Sequence, residues 1–158
     1  MEINVFLDDK INDNLDISWL NYIVEQAFLT LGISGDVEMG VVITNQRKVQ
    51  DLNKTYRGKD MPTDVLAFTL NTENVEADGL AFTDPPDGVR HLGEVIINYS
   101  QAITQAREHQ HSTKREVTIL VIHGLLHLVG YDHIEDEPAQ QMADMESVIL
   151  ENVSGVSD

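Results

Sequence analysis

Three histidines lie close together in one apolar segment, HGLLHLVGYDH, which runs from His123 to His133. On an α-helix, residues four apart point the same way from consecutive turns, so His123 and His127 can present two imidazole nitrogens to one metal ion. Glycine adopts the left-handed conformation at little cost, so Gly130 lets the chain turn back and can bring His133 round as a third ligand. The spacing therefore predicts a metal site formed by His123, His127 and His133.

Three neutral imidazoles hold a zinc ion and leave a fourth position open, which is typical of catalytic zinc rather than structural zinc. Such an ion lowers the pKa of a bound water to about 7 and so supplies hydroxide at neutral pH. The same spacing occurs in metzincin proteases, in which the glutamate general base directly follows the first histidine. That position here is Gly124, which counts against a peptidase. The uncompensated metal charge favours an anionic substrate such as a phosphodiester.

The basic residues are concentrated in one part of an acidic chain. The net charge is −17, from 10 basic and 27 acidic residues, which argues against nonspecific binding of nucleic acid. Five of the 10 basic residues nevertheless lie between positions 47 and 59, and we call them the basic strip: Arg47, Lys48, Lys54, Arg57 and Lys59. One interpretation is a nucleic-acid track in which Lys54 and Lys59 contact the backbone and the Arg57 guanidinium clamps a phosphate. The alternative is a solvated helix face.

The helices and strands that the sequence predicts around these residues indicate an α+β fold. Residues 1–158 are expected to form a single domain, a mixed sheet of about four strands packed by helices, with a frayed tail at 154–158. The predicted strands are INVFL near the start, 37–44, 65–70 and 92–98. The predicted helices are 18–31 capped by Ser18, the basic strip with Val49, Leu52 and Tyr56 facing inward, 100–108, 113–129 with a capping box from Thr113 to Glu116, and a last helix from Pro138 to about 153. Residues 71–91 are expected to form a loop.

Composition narrows the cellular setting. The chain has no cysteine, which excludes disulfides and thiolate ligands. The N-terminal MEINVFLDDK lacks the basic and apolar regions of a signal peptide. The longest apolar-rich run, 117–129, contains two histidines and is too short and too polar to cross a bilayer. We therefore expect a cytoplasmic protein without a membrane partner.

Three segments together resemble one known family. HGLLHLVGYDH is similar to the signature of the YbeY family of metal-dependent endoribonucleases, and YRGKDMPTDVLAF (56–68) and LGEVIIN (92–98) resemble two further blocks of that family in matching order. The resemblance implies that His123, His127 and His133 hold one zinc ion and that Arg57 is catalytic. It also implies cleavage of single-stranded RNA in the maturation of small-subunit ribosomal RNA and in ribosome quality control. The implied partners are the ribosomal small subunit and assembly factors such as an Era-type GTPase.

Two other classes of function stay open at this point. One is a metal-dependent hydrolase of peptides or small molecules, with the basic strip merely solvated. The other is a non-catalytic assembly factor that the metal stabilises. The sequence does not identify the general base, and it does not decide between water and the substrate 2′-hydroxyl as the nucleophile.

Overall fold

The computed structural model describes residues 2–8, 11, 17–33, 35–69, 89–130 and 136–153. His133, the tail at 154–158 and most of the predicted 71–91 loop lie outside these residues. The described elements, in chain order, are β1 (Glu2–Leu7), α1 (Ile17–Leu31), β2 (Val37–Thr44), α2 (Gln46–Arg57), β3 (Val65–Thr69), β4 (Arg90–Asn98), α3 (Tyr99–Glu108), α4 (Thr113–Leu128) and α5 (Asp136–Val153).

The four strands form one mixed sheet in the order β1-β2-β4-β3. β1, β2 and β4 run parallel, and β3 is antiparallel to β4 at the edge of the sheet. The predicted α+β class and the mixed four-stranded sheet are thus confirmed. β4 begins at Arg90, so the end of the predicted 71–91 loop already belongs to a strand. Within the described part of the chain, no helix is long and apolar enough to cross a membrane.

Helices cover both faces of the sheet. Successive side chains of a strand point to opposite faces, and β4 shows this clearly because Val95 and Ile97 enter the larger core whereas Ile96 enters a smaller one. The larger core includes Leu20, Ile23 and Phe28 from α1, Ile122, Leu125 and Leu126 from α4, and Met142 and Ile149 from α5. The smaller core is formed by Val49, Leu66 and Ile96, with Val42, Leu52 and Phe68 packed against it. α2 therefore lies on one face of the sheet and α4 on the other.

Gly124 is the point of closest approach between α4 and the sheet. A Cβ atom at this position would lie 2.6 Å from Cγ1 of Val95 and 3.3 Å from Cγ2 of Val65. Both distances are shorter than ordinary carbon–carbon contacts of about 3.5–4.0 Å. At the position that holds the general base in metzincins, the sheet therefore takes the space that even the first side-chain atom would need.

Two predictions about helix starts are wrong. Ser18 lies within α1, which begins at Ile17, and so does not cap it. The predicted capping box in α4 fails because Ser112 is the N-cap, and its Oγ accepts a hydrogen bond of 3.0 Å from the backbone N–H of Arg115. Glu116 therefore occupies the fourth helical position, and its side chain points into the protein instead of back to the helix start.

The prediction that Tyr56 faces inward is also wrong, since 68% of this residue is exposed. The buried positions of α2 are Val49 and Asn53. Tyr56 has the same azimuth as Val49 on an α-helix but lies two turns further along. At that end of α2 the side chain borders a cavity instead of the core.

Substituting Gly124 tests the close contact. In Gly124→Ala the new methyl group overpacks the interface at a cost of roughly 1–3 kcal/mol, while removal of a helical glycine gains about 1 kcal/mol. We expect a net loss of up to about 2 kcal/mol in the free energy of unfolding, measured by urea denaturation. Gly40→Ala is the control, because its Cβ would meet Cγ of the flexible Glu94 side chain at 3.2 Å. A Gly124→Ala protein more stable than the wild type would contradict the packing argument.

Candidate active site

A cavity of about 650 Å³ lies beside β3, between α4 and the C-terminal end of α2. The described residues that line it are Tyr56, Arg57, Thr63, Asp64, Val65, Ala67, Phe68, Thr69, His123, Gly124 and His127. Arg57 and two of the three predicted metal ligands, which are distant in sequence, thus share one cavity. Asp64 adds a carboxylate to the lining of the same cavity.

His123 and His127 face each other from consecutive turns of α4. Their Nε2 atoms are 3.2 Å apart, and the ring centroids are 4.8 Å apart with an angle of 74° between the planes. Zinc binds imidazole nitrogen at about 2.0–2.1 Å in tetrahedral geometry, which places two ligand nitrogens about 3.3 Å from each other. The spacing of this pair therefore fits two ligands of one ion.

A carboxylate from another helix orients the first histidine. Nδ1 of His123 lies 2.7 Å from Oε1 of Glu146 on α5. A carboxylate in this position favours the tautomer with the proton on Nδ1 and leaves the lone pair of Nε2 for a metal ion. Sequence reasoning missed Glu146, because no spacing rule connects positions on two separate helices and only the packing of α5 on α4 brings them together.

The third predicted ligand, His133, lies outside the described residues, so its role stays a prediction. The turn that would lead to it does begin as expected. α4 ends at Leu128, and Gly130 follows with a φ of 103°, a conformation that favours glycine.

Two buried asparagines hold the segment that carries Arg57 to the cavity. Nδ2 of Asn53 donates to the carbonyl oxygen of Met61 at 2.9 Å, and Nδ2 of Asn98 donates to the carbonyl oxygen of Thr63 at 3.0 Å. Asn98 has no exposed surface and also caps α3 by accepting a hydrogen bond from the backbone N–H of Gln101. These hydrogen bonds tie the segment that follows Arg57 to both α2 and β4.

The residues of the basic strip differ in their surroundings. Arg57 is exposed at the cavity, and its side chain makes no hydrogen bond or ion pair with any other residue that the structure describes. Lys54 lies 3.9 Å from the carboxylate of Asp60, and neither Lys54 nor Lys59 lines the cavity. The contact of Lys54 and Lys59 with an RNA backbone stays a prediction.

Comparison with known proteins gives the family. The family model described as Endoribonuclease YbeY matches residues 3–154. The chain belongs to the YbeY endoribonuclease family. This confirms the resemblance found in the sequence and places the chain among nucleases, which are enzymes of the hydrolase class.

Individual YbeY relatives agree with this result. An endoribonuclease YbeY from Dehalococcoides mccartyi is 40% identical over 155 residues, covering 97% of this chain and 90% of the relative. One from a Roseiflexus species is 44% identical over 132 residues, covering 83% of this chain and 78% of the relative. The solution structure of TM1509 from Thermotoga maritima superposes with a TM-score of 0.63 at 29% identity, covering 97% of this chain and 89% of that one.

A second group of metal-binding side chains in this YbeY-family chain lies near the start of α4. One ligand atom from each of His109, His111 and Glu116 falls within 4.8 Å of the others, so the group is positioned to form a metal site. Oε1 of Glu116 lies 3.0 Å from Nδ1 of His109 and 2.6 Å from Nε2 of His111, and Gln105 donates to Oε2 at 2.9 Å. No spacing pattern in the sequence indicated this group, because the three side chains meet only after α3 and α4 have packed against each other.

Hydrogen bonding controls protonation in this group. Burial raises the pKa of Glu116, but hydrogen bonds from His109, Gln105 and His111 outweigh burial and hold the pKa below its ordinary value. The hydrogen bond to Glu116 and the charge of that carboxylate raise the pKa of His109 above its ordinary value of 6.5. The pair is therefore most stable with His109 protonated and Glu116 ionised.

The raised pKa of His109 predicts a pH-dependent stability. A group whose pKa is raised on folding stabilises the protein fully below its unfolded pKa, and the effect is lost as the pH rises through the folded pKa. Unfolding of the wild type and of His109→Gln should be compared from pH 6 to pH 9, with EDTA present to keep metal out. We expect the free energy of unfolding of the wild type to exceed that of His109→Gln by more at pH 6 than at pH 9. An equal difference at both ends of this range would contradict the assignment.

Proposed function

We propose that this chain is a zinc-dependent, single-strand-specific endoribonuclease that acts in the maturation of small-subunit ribosomal RNA and in ribosome quality control. The observation that carries the proposal is the meeting of the His123–His127 pair and Arg57 in one cavity of a chain from the YbeY family. A metal site and a phosphate clamp in one cavity suit a phosphodiester substrate.

His123 and His127, with His133 as the predicted third ligand, would hold the ion. When bound, the ion supplies Lewis acidity toward a phosphoryl oxygen. Glu146 keeps the ring of His123 oriented by holding its Nδ1 proton. Arg57 would grip two oxygens of the scissile phosphate through the planar guanidinium, which fixes the phosphate against the histidine pair.

The charge distribution favours an approach of RNA along one surface. The body of the protein is strongly acidic, so a phosphate backbone is repelled from most of it. Lys54 and Lys59 flank Arg57 in the chain and would add positive potential near the cavity, although Asp60 lies beside Lys54. This proposed contribution is long-range because neither lysine lines the cavity.

The domain, location and partners that we propose rest on the resemblance of this chain to the YbeY family. Residues 1–158 would form the single catalytic domain, and the protein would act in the cytoplasm with the ribosomal small subunit and an Era-type GTPase as partners. A peptidase is disfavoured, because Gly124 stands where metzincins have the general base and the sheet leaves no room there for a Cβ atom. A purely structural metal is disfavoured by the position of the histidine pair in a large open cavity.

Removing one histidine should remove the metal. We expect purified wild-type protein to contain about one zinc ion per chain and His127→Ala to lose it, together with cleavage of single-stranded RNA. Glu146→Gln should weaken zinc affinity roughly 10- to 100-fold, because it alters the orientation of a ligand and leaves the ligand in place. Elemental analysis and zinc titration measure these effects. A full equivalent of zinc in His127→Ala would show that the ligand assignment is wrong.

Changing Arg57 should affect turnover without affecting folding. Arg57→Lys keeps the positive charge but loses the planar pair of donors, so we expect kcat/KM for RNA cleavage to fall roughly 10- to 100-fold. The free energy of unfolding should stay within about 0.5 kcal/mol of the wild type, because the side chain is exposed. Zinc content serves as the control and should not change. Wild-type cleavage by Arg57→Ala would remove Arg57 from the site.

A further inference from the structure

A second cavity, of about 460 Å³, lies along the exposed side of α2. Its wall includes Arg47, Lys48, Asp51 and Leu52. Tyr56 lines both this cavity and the larger one that contains Arg57 and the histidine pair, so the two cavities share this residue. A polymer bound in the larger cavity could continue past Tyr56 into the second one.

We propose that the second cavity is a binding subsite for the nucleotide that flanks the cleaved phosphate. Tyr56 stacks on an unpaired base, and Arg47 and Lys48 hold the adjoining backbone phosphate. This subsite rests on the proposed function and extends it, because it assigns the selection of a single strand to Tyr56, which borders both cavities, and a phosphate contact to Arg47 and Lys48, which lie outside the catalytic cavity.

The exposure of Tyr56 favours this role. A large aromatic side chain that is 68% exposed leaves much of its ring open to solvent. The ring makes an edge-to-face contact with Phe68, with centroids 5.4 Å apart and 61° between the planes. An exposed aromatic ring beside a cationic groove is the arrangement that proteins use to bind single strands, since every base has a π-face.

The charges of the second cavity suit a phosphate. Arg47 and Lys48 are exposed and make no side-chain ion pair with any residue in the described ranges. They also lie in the first turn of α2, where the helix dipole disfavours cations, so local helix stability does not account for them. The Asp51 carboxylate opposes them in the same cavity, which leaves two positive charges against one negative.

The proposed contact would distinguish single strands from duplexes. In a duplex both faces of each base are covered by neighbouring base pairs, so Tyr56 could not stack without opening the helix. In a single strand a base can be turned out and stacked on the ring. Loss of such stacking weakens binding roughly 5- to 100-fold per base.

The test is the cleavage kinetics of the zinc-loaded protein on a short labelled single-stranded RNA. For Tyr56→Leu we expect KM to rise at least about 5-fold with kcat near that of the wild type. Tyr56→Phe keeps the ring and should stay within about twofold of the wild-type KM. Phe6→Leu is the matched control, because Phe6 is an exposed aromatic residue (53%) on β1, at the other edge of the sheet. Thermal melting of each variant shows whether the fold is kept.

The double variant Arg47→Gln/Lys48→Gln tests the phosphate contact. The subsite holds one backbone phosphate, and loss of one phosphate contact to a single strand lowers the salt slope of binding by about 0.7, so we expect the slope of the double variant to fall by about that amount. Arg107→Gln, on α3 and outside both cavities, removes one positive charge elsewhere and should leave the slope unchanged.

The outcomes separate this subsite from the proposed function. Suppose that the wild type cleaves RNA, that Tyr56→Leu has the wild-type KM and that the double variant has the wild-type salt slope. The subsite is then wrong and the nuclease function stands. If the wild type neither binds nor cleaves single-stranded RNA, both the subsite and the proposed function are wrong.

Discussion

The absence of a side chain at position 124 lets α4 lie directly on the sheet, and the geometry of the candidate site depends on that contact. Val95 and Val65 occupy the space that a Cβ would need. His123 precedes the glycine directly and His127 follows it by less than one turn, so the same contact sets the distance of both imidazoles from β3. A larger residue would push the helix away from the sheet and carry the histidine pair away from Arg57.

The edge strand β3 explains why the two halves of the site meet. α2 and α4 pack on opposite faces of the sheet, so their side chains are separated by the sheet in its interior. At the edge there is no further strand among the described residues, and the end of α2 reaches round to the side of α4. The hydrogen bonds of Asn53 and Asn98 to the connecting segment keep Arg57 at this edge.

Carboxylates shape the site of this acidic protein in different ways. Glu146 binds the outer nitrogen of His123 and so directs the inner nitrogen to the cavity. Glu116 is almost completely buried, at 2% exposure, and is stabilised there by two histidines and Gln105. Glu116 and His123 lie about two turns apart on α4. The carboxylate that joins α3 to α4 is therefore separate from the Glu146 carboxylate, which orients a candidate metal ligand.

The sequence by itself determined whatever depends on local periodicity and local charge. Helical spacing predicted that His123 and His127 would face each other, and strand-like segments predicted the strands to within a few residues. The basic strip directed attention to Arg57, which lines the cavity and whose role stays a prediction. Resemblance of three segments gave the family, which the comparisons confirmed. The facing histidines and the strands could be predicted because each depends only on residues within a few turns or strand positions of one another.

Only the tertiary structure decided which side chains meet across elements. Glu146 reaches His123 from α5, and the His109–Glu116 group forms where α3 meets α4. Tyr56 has the periodicity of a core residue, yet it is exposed because α2 extends beyond the core at that end. Periodicity specifies the direction in which a side chain points from its own helix axis. The residues that this side chain contacts depend on how helices and strands from distant parts of the sequence pack around it.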